Sequence, residues 1–427
     1  MRKRSAGMTR RRFLASTAAV GAASVLAPGR HRALAQGAKP TISFWNGLTG
    51  ADGKVMDDLI GQFTKETGIG VEQQRILWPD LYAKLQVSTP AGEGPDICLI
   101  HTVEVPHFAG DGILEAIDDR TLAAKGFRGE DYLPSPWNGG TYQGKRYTIP
   151  LDVPQHLFFL NPKLMKAAGF ANPDGSLKLP GGKDELLQMA VKMTSEDVFG
   201  FAMGSAANIG RYTWSLHNLL WQNGANIFTP DLKKCALTEP AAIEAAEFWG
   251  AIFAKYKVAT PANANPRDAF IAGKVAMWIA GSWNVAGLRE AKVDFTAAPV
   301  PKLFKQPIVF TIPHQFSFPK PKTQDAARRE ASWTMIRWIT DHVAEWTLRA
   351  GQVSASKKSH TDPRITRDPA LKVLLAQGPY WQHGQSTPKW VPAENLSRPV
   401  FEDVYIGQKP AKAGMEDLAR QVNALPD

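Results

Sequence analysis

The sequence predicts an α/β fold built as two lobes, and two observations lead to this prediction. Short β-rich runs alternate with stretches of helical apolar spacing, a pattern that predicts a parallel sheet covered by helices on both faces. About 390 of the 427 residues remain once a cleavable leader is removed, which is more than one hydrophobic core usually serves. Two lobes of ordinary size therefore account for the length.

The alternation can be followed from the start of the mature chain. A strand is predicted for residues 41–45, and apolar side chains at helical spacing predict a helix around 55–63. A second strand is expected at 70–74, a second helix at 78–87, and a buried strand at 96–101. Ligands of such folds bind where loops leave the carboxyl ends of the strands. Function is therefore expected in the loops after Trp45, after Ile100 and near Asp152.

The second half of the chain continues the mixed pattern. Helical apolar spacing predicts helices at 241–254 and 328–339, and an amphipathic helix at 414–424. Strands are predicted at 275–279 and 316–318.

The first 35 residues have the layout of a signal peptide, with eight Arg or Lys, no acidic residue and a weakly apolar run at 13–28. The segment Thr9–Ala15 resembles the twin-arginine export motif, and Ala33-Leu34-Ala35 provides a cleavage site before Gln36. A basic nucleic-acid-binding tail and a membrane helix are the alternatives, but the apolar run is shorter than the roughly 20 residues that a bilayer needs. We predict that residues 1–35 are a twin-arginine signal peptide and that the mature protein is periplasmic, with no membrane insertion.

The charge of the mature chain argues against polyanionic partners. The whole sequence has a formal net charge of +10, but removal of the leader leaves 42 basic against 40 acidic side chains. Nucleic acids and anionic membranes require a strongly basic face. We therefore expect no nucleic acid as partner.

Sequence motifs of catalysis are missing. The chain has no glycine-rich nucleotide loop, no nucleophile elbow and no zinc-binding His-Glu-x-x-His helix. Its nine His residues are scattered without metal-ligand spacing. The sequence predicts a protein that is not an enzyme and needs no cofactor or metal.

Aromatic usage suggests carbohydrate recognition. The chain has thirteen Trp, several of them next to Asn, Gln or His. The C–H faces of a sugar pack on indole, and its hydroxyls need carboxylate or amide partners once they are desolvated. Most of these Trp residues are expected in the hydrophobic cores, so the pattern is weak by itself.

Several motifs resemble the extracellular solute-binding protein family 1, the maltose-binding-protein-like group. The first pair is Gly-Pro-Asp-Ile at 94–97 and Gly-Asp-Gly-Ile-Leu-Glu-Ala-Ile-Asp at 110–118. The likeness continues through 142–150 and 160–170, and 270–283 contains the family's strongest signature of the C-terminal lobe. The resemblance covers almost all of the chain after the leader.

This resemblance implies a type II periplasmic-binding-protein-like fold, in which hinge-linked lobes hold ligand in the cleft between them. It places the N-terminal lobe at 36–151 and 299–353, and the C-terminal lobe at 152–298 and 354–427. The implied function is that of the substrate-binding component of an ABC importer. Such a protein binds a mono- or oligosaccharide and delivers it, as a monomer, to a membrane permease with its cytoplasmic ATPase.

The loop after the first strand resembles the family's sugar-contacting loop. It contributes Trp45, Asn46, Thr49 and Asp52, of which Asp52 is expected to accept hydrogen bonds from two hydroxyls. Trp45 either stacks on the sugar or supports the loop from below.

Further candidates come from the same resemblance. His101 and Asp152 are expected to face the cleft, and Trp283 resembles the second-lobe aromatic on which the sugar stacks. His314 resembles the His of a Ser-His pair, although Pro313 replaces the Ser. Weaker candidates are Trp214, Trp381 and Arg398.

Two other functions stay open at this point. A secreted carbohydrate-active enzyme also has a cleft with Trp and a pair of carboxylates, although nothing in the sequence marks that pair. A glycerol-phosphate or polyol binder of the same family is the second alternative, and Arg398 would then bind phosphate.

Overall fold

A computed structural model of the chain describes residues 39–204, 210–260 and 264–426. The predicted signal peptide at 1–35 lies outside these described residues. The described strands are β1 (Thr41–Asn46), β2 (Gly70–Arg75), β3 (Ile97–His101), β4 (Thr141–Tyr142), β5 (Lys145–Arg146), β6 (Thr148–Val153), β7 (His156–Leu160), β8 (Phe199–Met203), β9 (Val275–Gly281), β10 (Thr296–Ala298), β11 (Val309–Phe310), β12 (His314–Ser317), β13 (Val353–Ser354) and β14 (Trp381–Gln382).

Helices cover most of the remaining chain. They are α1 (Ala51–Thr67), α2 (Trp78–Ala91), α3 (Val105–Gly110), α4 (Asp119–Ala124), α5 (Pro134–Asn138), α6 (Pro162–Ala167), α7 (Lys183–Met193), α8 (Ser215–Gln222), α9 (Pro240–Ala254), α10 (Pro266–Ile271), α11 (Asn284–Glu290), α12 (Ala326–Asp341), α13 (Val343–Ala350), α14 (Pro363–Arg367), α15 (Pro369–Ala376), α16 (Trp390–Tyr405) and α17 (Ala411–Asn423). Short 3-10 turns lie at Thr102–Glu104, Gly129–Asp131, Lys357–Ser359 and Gly378–Tyr380, and a π-helical turn at Gly210–Trp214 leads into α8. Among the described residues, no helix has both the length and the apolar character that a membrane crossing requires.

The strands form two main sheets. The larger sheet has the order β13-β6-β12-β3-β1-β2, and the smaller sheet has the order β10-β7-β9-β8. All ten elements predicted from the sequence are present, with ends that differ by a few residues. The last predicted strand, at 316–318, begins two residues earlier, at His314.

The prediction of a parallel sheet was wrong in part. Strands β1, β2 and β3 pair in parallel, but β12 is antiparallel to both β3 and β6, and β13 is antiparallel to β6. The physical reason is the path of the chain. After the smaller sheet the chain returns to the larger sheet at the edge where β3 and β6 end. Strand β12 therefore runs between these two strands in the opposite direction.

The chain passes between the two sheets at the ends of a few strands. It leaves the larger sheet after β6, enters the smaller one at β7, and returns to the larger sheet in β12. Hydrogen bonds hold these crossing segments together: Ile312 N–H donates to Pro154 O at 2.9 Å, and Thr311 N–H donates to Gln382 O at 2.8 Å. The lobe boundaries inferred from the sequence stay a prediction.

Local sequence explains where individual helices begin and end. The side chains of Asn161 and Asp325 accept the N–H groups of Leu164 and Arg328, which caps the first turns of α6 and α12. Gly68 ends α1 with a φ of 73°, in the left-handed region where a Cβ would be strained.

Each sheet has its own hydrophobic core. One core packs Phe44, Phe316 and Trp346 around the larger sheet, and a second packs Phe158, Met277 and Trp249 around the smaller sheet. The polar ends of the strands lie outside these cores, and this arrangement positions the candidate site.

Candidate functional site

The polar site residues of the larger sheet lie in one row across three neighbouring strands. His101 is the last residue of β3, and Asp152 lies near the end of β6. His314 begins β12 and is the register partner of both residues. Because β12 runs antiparallel to its neighbours, its first residue meets their carboxyl ends. The structure therefore brings together three residues that are far apart in the sequence.

Asp152 is fully buried, and the protein itself satisfies both of its carboxylate oxygens. Its Oδ1 lies 2.8 Å from His314 Nδ1, and its Oδ2 accepts a hydrogen bond from Trp346 Nε1 at 2.8 Å. A carboxylate partner keeps the proton of the imidazole on Nδ1. Asp152 thus fixes the orientation of the His314 ring.

His101 is held by Tyr82. The Tyr82 hydroxyl accepts the backbone N–H of His101 at 3.2 Å and lies 2.7 Å from His101 Nδ1. The hydroxyl can donate its proton to Nδ1, and in that tautomer the ring proton lies on Nε2. Burial, followed by the nearby His314, lowers the pKa of His101 well below its usual value. His101 is a neutral imidazole that can donate from Nε2.

Trp78 covers both of these imidazoles, although the sequence predicted it only as the start of a helix. Its ring centroid lies 4.1 Å from that of His101 and 5.2 Å from that of His314. Gly47 makes this placement possible, because a Cβ there would lie 2.1 Å from the Trp78 ring. Alanine at position 47 would therefore displace the indole.

Aromatic side chains from the smaller sheet's side meet this row. Trp214 lies edge-on to His101, with centroids 6.0 Å apart, and edge-on to Trp283, with centroids 5.8 Å apart. Its ring stacks on Phe310 at 5.5 Å. Gly281 makes room for Trp283, since a Cβ at position 281 would lie 2.1 Å from that ring. The predicted residue Trp214 thus lies beside the predicted His101, and Trp283 lies beside Trp214.

Asp52 lies at the start of α1, next to this cluster. Its Oδ1 accepts the N–H groups of Gly53 at 2.9 Å and Gly50 at 3.2 Å. Burial raises its pKa, and the nearby His314 opposes that shift. Its Oδ2 has one long contact, 3.4 Å from Gln352 Nε2. This oxygen can accept a further hydrogen bond.

The other three predicted residues of the first loop differ from one another. Asn46 is fully buried, with Oδ1 bonded to the Leu48 N–H and with Nδ2 lacking a partner among the described residues. Thr49 is exposed. Trp45 packs in a small core with Leu81.

Two predicted residues lie outside the cluster. Trp381 donates its indole N–H to Gln155 Oε1 at 2.8 Å, at the place where the chain crosses between the sheets. Arg398 is exposed on α16 and forms no ion pair with any residue that the structure describes.

Three buried residues that the sequence did not suggest lie beside Trp214. Glu394 Oε1 accepts the indole N–H of Trp214 at 3.0 Å, and burial raises the pKa of Glu394 to about 7. Glu104 is 4% exposed, and its Oε2 has no partner in the described part of the chain. His217 is fully buried, both of its ring nitrogens lack a hydrogen bond to described residues, and burial lowers its pKa to about 3.

Of these three residues, only Glu104 could have been selected from its position in the sequence. Glu104 follows His101 by three residues, at the carboxyl end of a predicted strand, where polar residues merit attention. Glu394 and His217 lie on the buried faces of α16 and α8. An acidic residue in a helix usually faces solvent, so its sequence position alone gave no reason to select Glu394.

The described residues contain no group of three or more His, Cys, Asp or Glu side chains that could hold a metal ion. The arrangement offers indole faces, neutral imidazoles and buried carboxyl groups from both sides. Chemically, it can bind a polar ligand that has apolar faces and several hydrogen-bond donors.

Comparison with known proteins gives a consistent result. The sequence profile of the family described as "Bacterial extracellular solute-binding protein" matches residues 47–345. The maltotriose-binding protein of Pyrococcus abyssi is 24% identical over 325 residues, which are 73% of this chain. The matched stretch spans 65% of that relative, slightly less than two thirds of its length.

Solved structures share the fold. An ABC transporter solute-binding protein of Thermotoga lettingae bound to α-D-tagatose has a TM-score of 0.79 at 23% identity, covering 90% of this chain and 99% of that chain. UgpB of Mycobacterium tuberculosis in complex with glycerophosphocholine also has a TM-score of 0.79, at 21% identity, covering 90% and 97% of the two chains. The predicted two-lobed, type II periplasmic-binding-protein-like fold is confirmed by this likeness.

Proposed function

Because the chain belongs to the family of bacterial extracellular solute-binding proteins, we propose that it is the carbohydrate-binding component of an ABC importer. In this proposal the ligand is a mono- or oligosaccharide bound between an N-terminal lobe (36–151 and 299–353) and a C-terminal lobe (152–298 and 354–427). Residues 1–35 direct export to the periplasm by the twin-arginine route. The mature protein acts as a monomer without catalytic activity and delivers its ligand to a permease.

One observation carries this proposal: aromatic rings and buried polar groups from both sheets meet in a single cluster. Trp78 and His101 come from the side of the larger sheet, and Trp214 and Trp283 come from the side of the smaller sheet. Indole faces pack on the C–H faces of sugar rings, and the buried polar atoms pair with hydroxyls.

Closure of the lobes gives the ligand its affinity. The contact between His101 and Trp214 exists only when the two sides are close together. A ligand that touches both sides binds the closed form better than the open form and shifts the population toward it. The permease then recognises the closed form.

The predicted ligand residues have different roles in this proposal. Asp52, His101, Trp214 and Trp283 contact the ligand, and Trp78 adds a stacking surface that the sequence did not suggest. Asp152 acts through His314, whose ring it orients. The first-loop residues Trp45 and Asn46 support the site, Thr49 lies at its exposed rim, and Trp381 stabilises the crossing between the lobes.

A glycerol-phosphate ligand is the second candidate, and it is favoured only by the fold shared with the glycerophosphocholine complex. Phosphate recognition requires Arg or Lys side chains or several N–H donors. Arg398 is exposed on α16, outside the cluster, and Asp52, Glu104 and Glu394 place carboxyl groups there instead of the cationic side chains that phosphate requires.

A ligand screen tests the proposal. Thermal unfolding and calorimetry are measured with mono-, di- and trisaccharides, polyols and glycerol phosphates. We expect a saccharide to bind, and we expect Trp283→Ala to weaken that binding more than tenfold. The matched control is Trp338→Ala, because Trp338 donates to Glu66, at the opposite end of α1 from Asp52, and its loss should leave affinity unchanged.

Each other outcome of the screen contradicts part of the proposal. Binding of glycerol phosphates alone would replace the carbohydrate ligand with a phosphate ester. Turnover of chromogenic glycosides, with Glu104 and Glu394 as the acid and base, would replace the binding protein with an enzyme. If neither sugars nor phosphates bind, the importer function itself is wrong.

A further inference from the structure

We propose that the ligand of this site carries an ammonium group, which lies between the carboxyl groups of Glu104 and Glu394. The substrate class is then an amino sugar or a related polyhydroxylated amine. This inference rests on the proposed function and specifies the ligand of the same site.

The two carboxyl groups come from opposite sides of the cluster. Glu104 ends the 3-10 turn that follows β3, and this turn packs against α16, which carries Glu394. Glu104 is 4% exposed and Glu394 is 6% exposed. Burial, followed by the charge of Glu394, raises the pKa of Glu104 well above its usual value. The two groups are therefore close enough to repel each other when both are ionised.

Neither carboxyl group has a cationic partner in the described part of the chain. No Lys or Arg whose side chain the structure describes forms an ion pair with either group. Glu394 accepts one hydrogen bond, from Trp214, while His217 Nδ1 is 3.9 Å away, too far for a hydrogen bond. Glu104 Oε2 has no described partner. By contrast, Asp96 is paired with Arg328.

His217 does not supply the missing positive charge. It is fully buried, and its lowered pKa of about 3 keeps the ring neutral at physiological pH. A neutral imidazole has one acceptor nitrogen, and neither ring nitrogen is bonded to a described residue. His217 can therefore accept a hydrogen bond from a bound donor without repelling a cation.

An ammonium group fits these surroundings better than a hydroxyl. A hydroxyl donates one hydrogen bond and carries no charge, whereas an ammonium group donates three and its positive charge favours the ionised form of both carboxyl groups. The neighbouring Trp214 adds a ring that favours cations. The other titratable group that faces both carboxyls is Tyr82, whose pKa is raised by burial, so it stays neutral. An ammonium group thus gains from both carboxyl groups as they ionise beside it, which selects a cation over a neutral hydroxyl.

Calorimetry at pH 7 with matched ligands tests this inference. Each series contains a neutral sugar, its amino form and its N-acetylated form: glucose, glucosamine and N-acetylglucosamine; galactose, galactosamine and N-acetylgalactosamine; cellobiose, the glucosamine dimer and N,N′-diacetylchitobiose. We expect at least one amino form to bind ten times more tightly than both of its counterparts. Binding should release protons at pH 6, because the ammonium group favours the ionised form of Glu394.

Other results separate the two proposals. If neutral or acetylated sugars bind as tightly as the amino forms, or more tightly, the ammonium inference is wrong and the carbohydrate function stands. If no ligand in these series or in the wider screen binds, both proposals are wrong.

Isosteric variants assign the effect to the two carboxyl groups. Glu104→Gln and Glu394→Gln should each lower the affinity for the amino ligand at least ten times more than they lower the affinity for its neutral counterpart. A purely structural role would lower both affinities together. Glu402→Gln is the matched control, because Glu402 lies on the same helix α16 with its side chain only half-buried. It should change neither affinity.

Discussion

Asp152 on β6 and Glu104 in the turn after β3 are two buried acids near the carboxyl ends of strands that flank β12, but their surroundings differ. Asp152 has a donor on each oxygen, from His314 and Trp346. Glu104 has an oxygen without a described partner and a second acid, Glu394, nearby. Burial is the same in both cases, so burial alone does not identify a ligand-binding residue. The hydrogen bonds that the protein itself provides separate a supporting residue from one that is open to a ligand.

The largest expected effect on stability comes from replacing each of these two acids in turn with its amide. Asp152→Asn places an amide N–H against one of two buried N–H donors, which should lower the free energy of unfolding by about 3 kcal/mol. Glu104→Gln replaces a buried carboxyl group whose Oε2 has no described partner, so stability should stay the same or rise. Urea denaturation of both variants measures the difference. Equal losses of stability would show that the two acids play the same role.

The next prediction concerns the glycines that make room for the site indoles, one on each side. Gly281→Ala and Gly47→Ala should each displace an indole and weaken ligand binding about a hundredfold, since the new Cβ would overlap the ring. Gly287→Ala and Gly61→Ala are matched controls, because a Cβ at either position meets no atom within 4 Å. Both controls should bind normally in calorimetry. Normal binding by Gly281→Ala would remove Trp283 from the site.

The pH dependence of stability sharpens the comparison further. Because the pKa of Glu394 is raised to about 7 in the folded protein, the folded state holds a proton that the unfolded state releases near its ordinary pKa of 4.5. The contribution of this group to stability is present at low pH and is lost as pH rises from about 4.5 to 7, by roughly 2 to 3 kcal/mol.

The measurement is the free energy of unfolding at pH 5 and pH 8 for the protein and for Glu394→Gln. The unmodified protein should lose stability relative to the variant over this range. His217 has a lowered pKa and acts in the opposite direction, but it is present in both proteins and cancels in the difference. Parallel pH profiles would contradict the buried, protonated state of Glu394.

The smallest expected effect is at the surface. Lys54 Nζ of α1 and Glu290 Oε1 of α11 lie 2.9 Å apart, and both side chains are largely exposed. Lys54→Gln should lower the free energy of unfolding by less than about 1 kcal/mol, and the difference should vanish in high salt. A larger loss, or one that persists in high salt, would contradict the prediction that this exposed ion pair contributes little to stability.

Part of the site could be predicted from the sequence because it follows the strands. Asp52, His101 and Asp152 each lie at or just after the carboxyl end of a strand, and the alternation of strands and helices was sufficient to select those loops. The role of Trp45 could not be decided in this way. Successive strand residues point to opposite faces, but both faces of this sheet are covered by helices, so periodicity did not tell which face holds the ligand.

The sequence by itself determined the family resemblance, the succession of strands and helices, and the loops in which binding was expected. Those features depend on local spacing and on motifs that are continuous in the chain. Only the tertiary structure brought Glu104 next to Glu394 and Trp78 over His101, and only it showed which buried polar atoms have no described partner. Hydrogen bonds and charge repulsion depend on distances between groups that lie up to 300 residues apart in the sequence, and the order of residues along the chain does not give those distances.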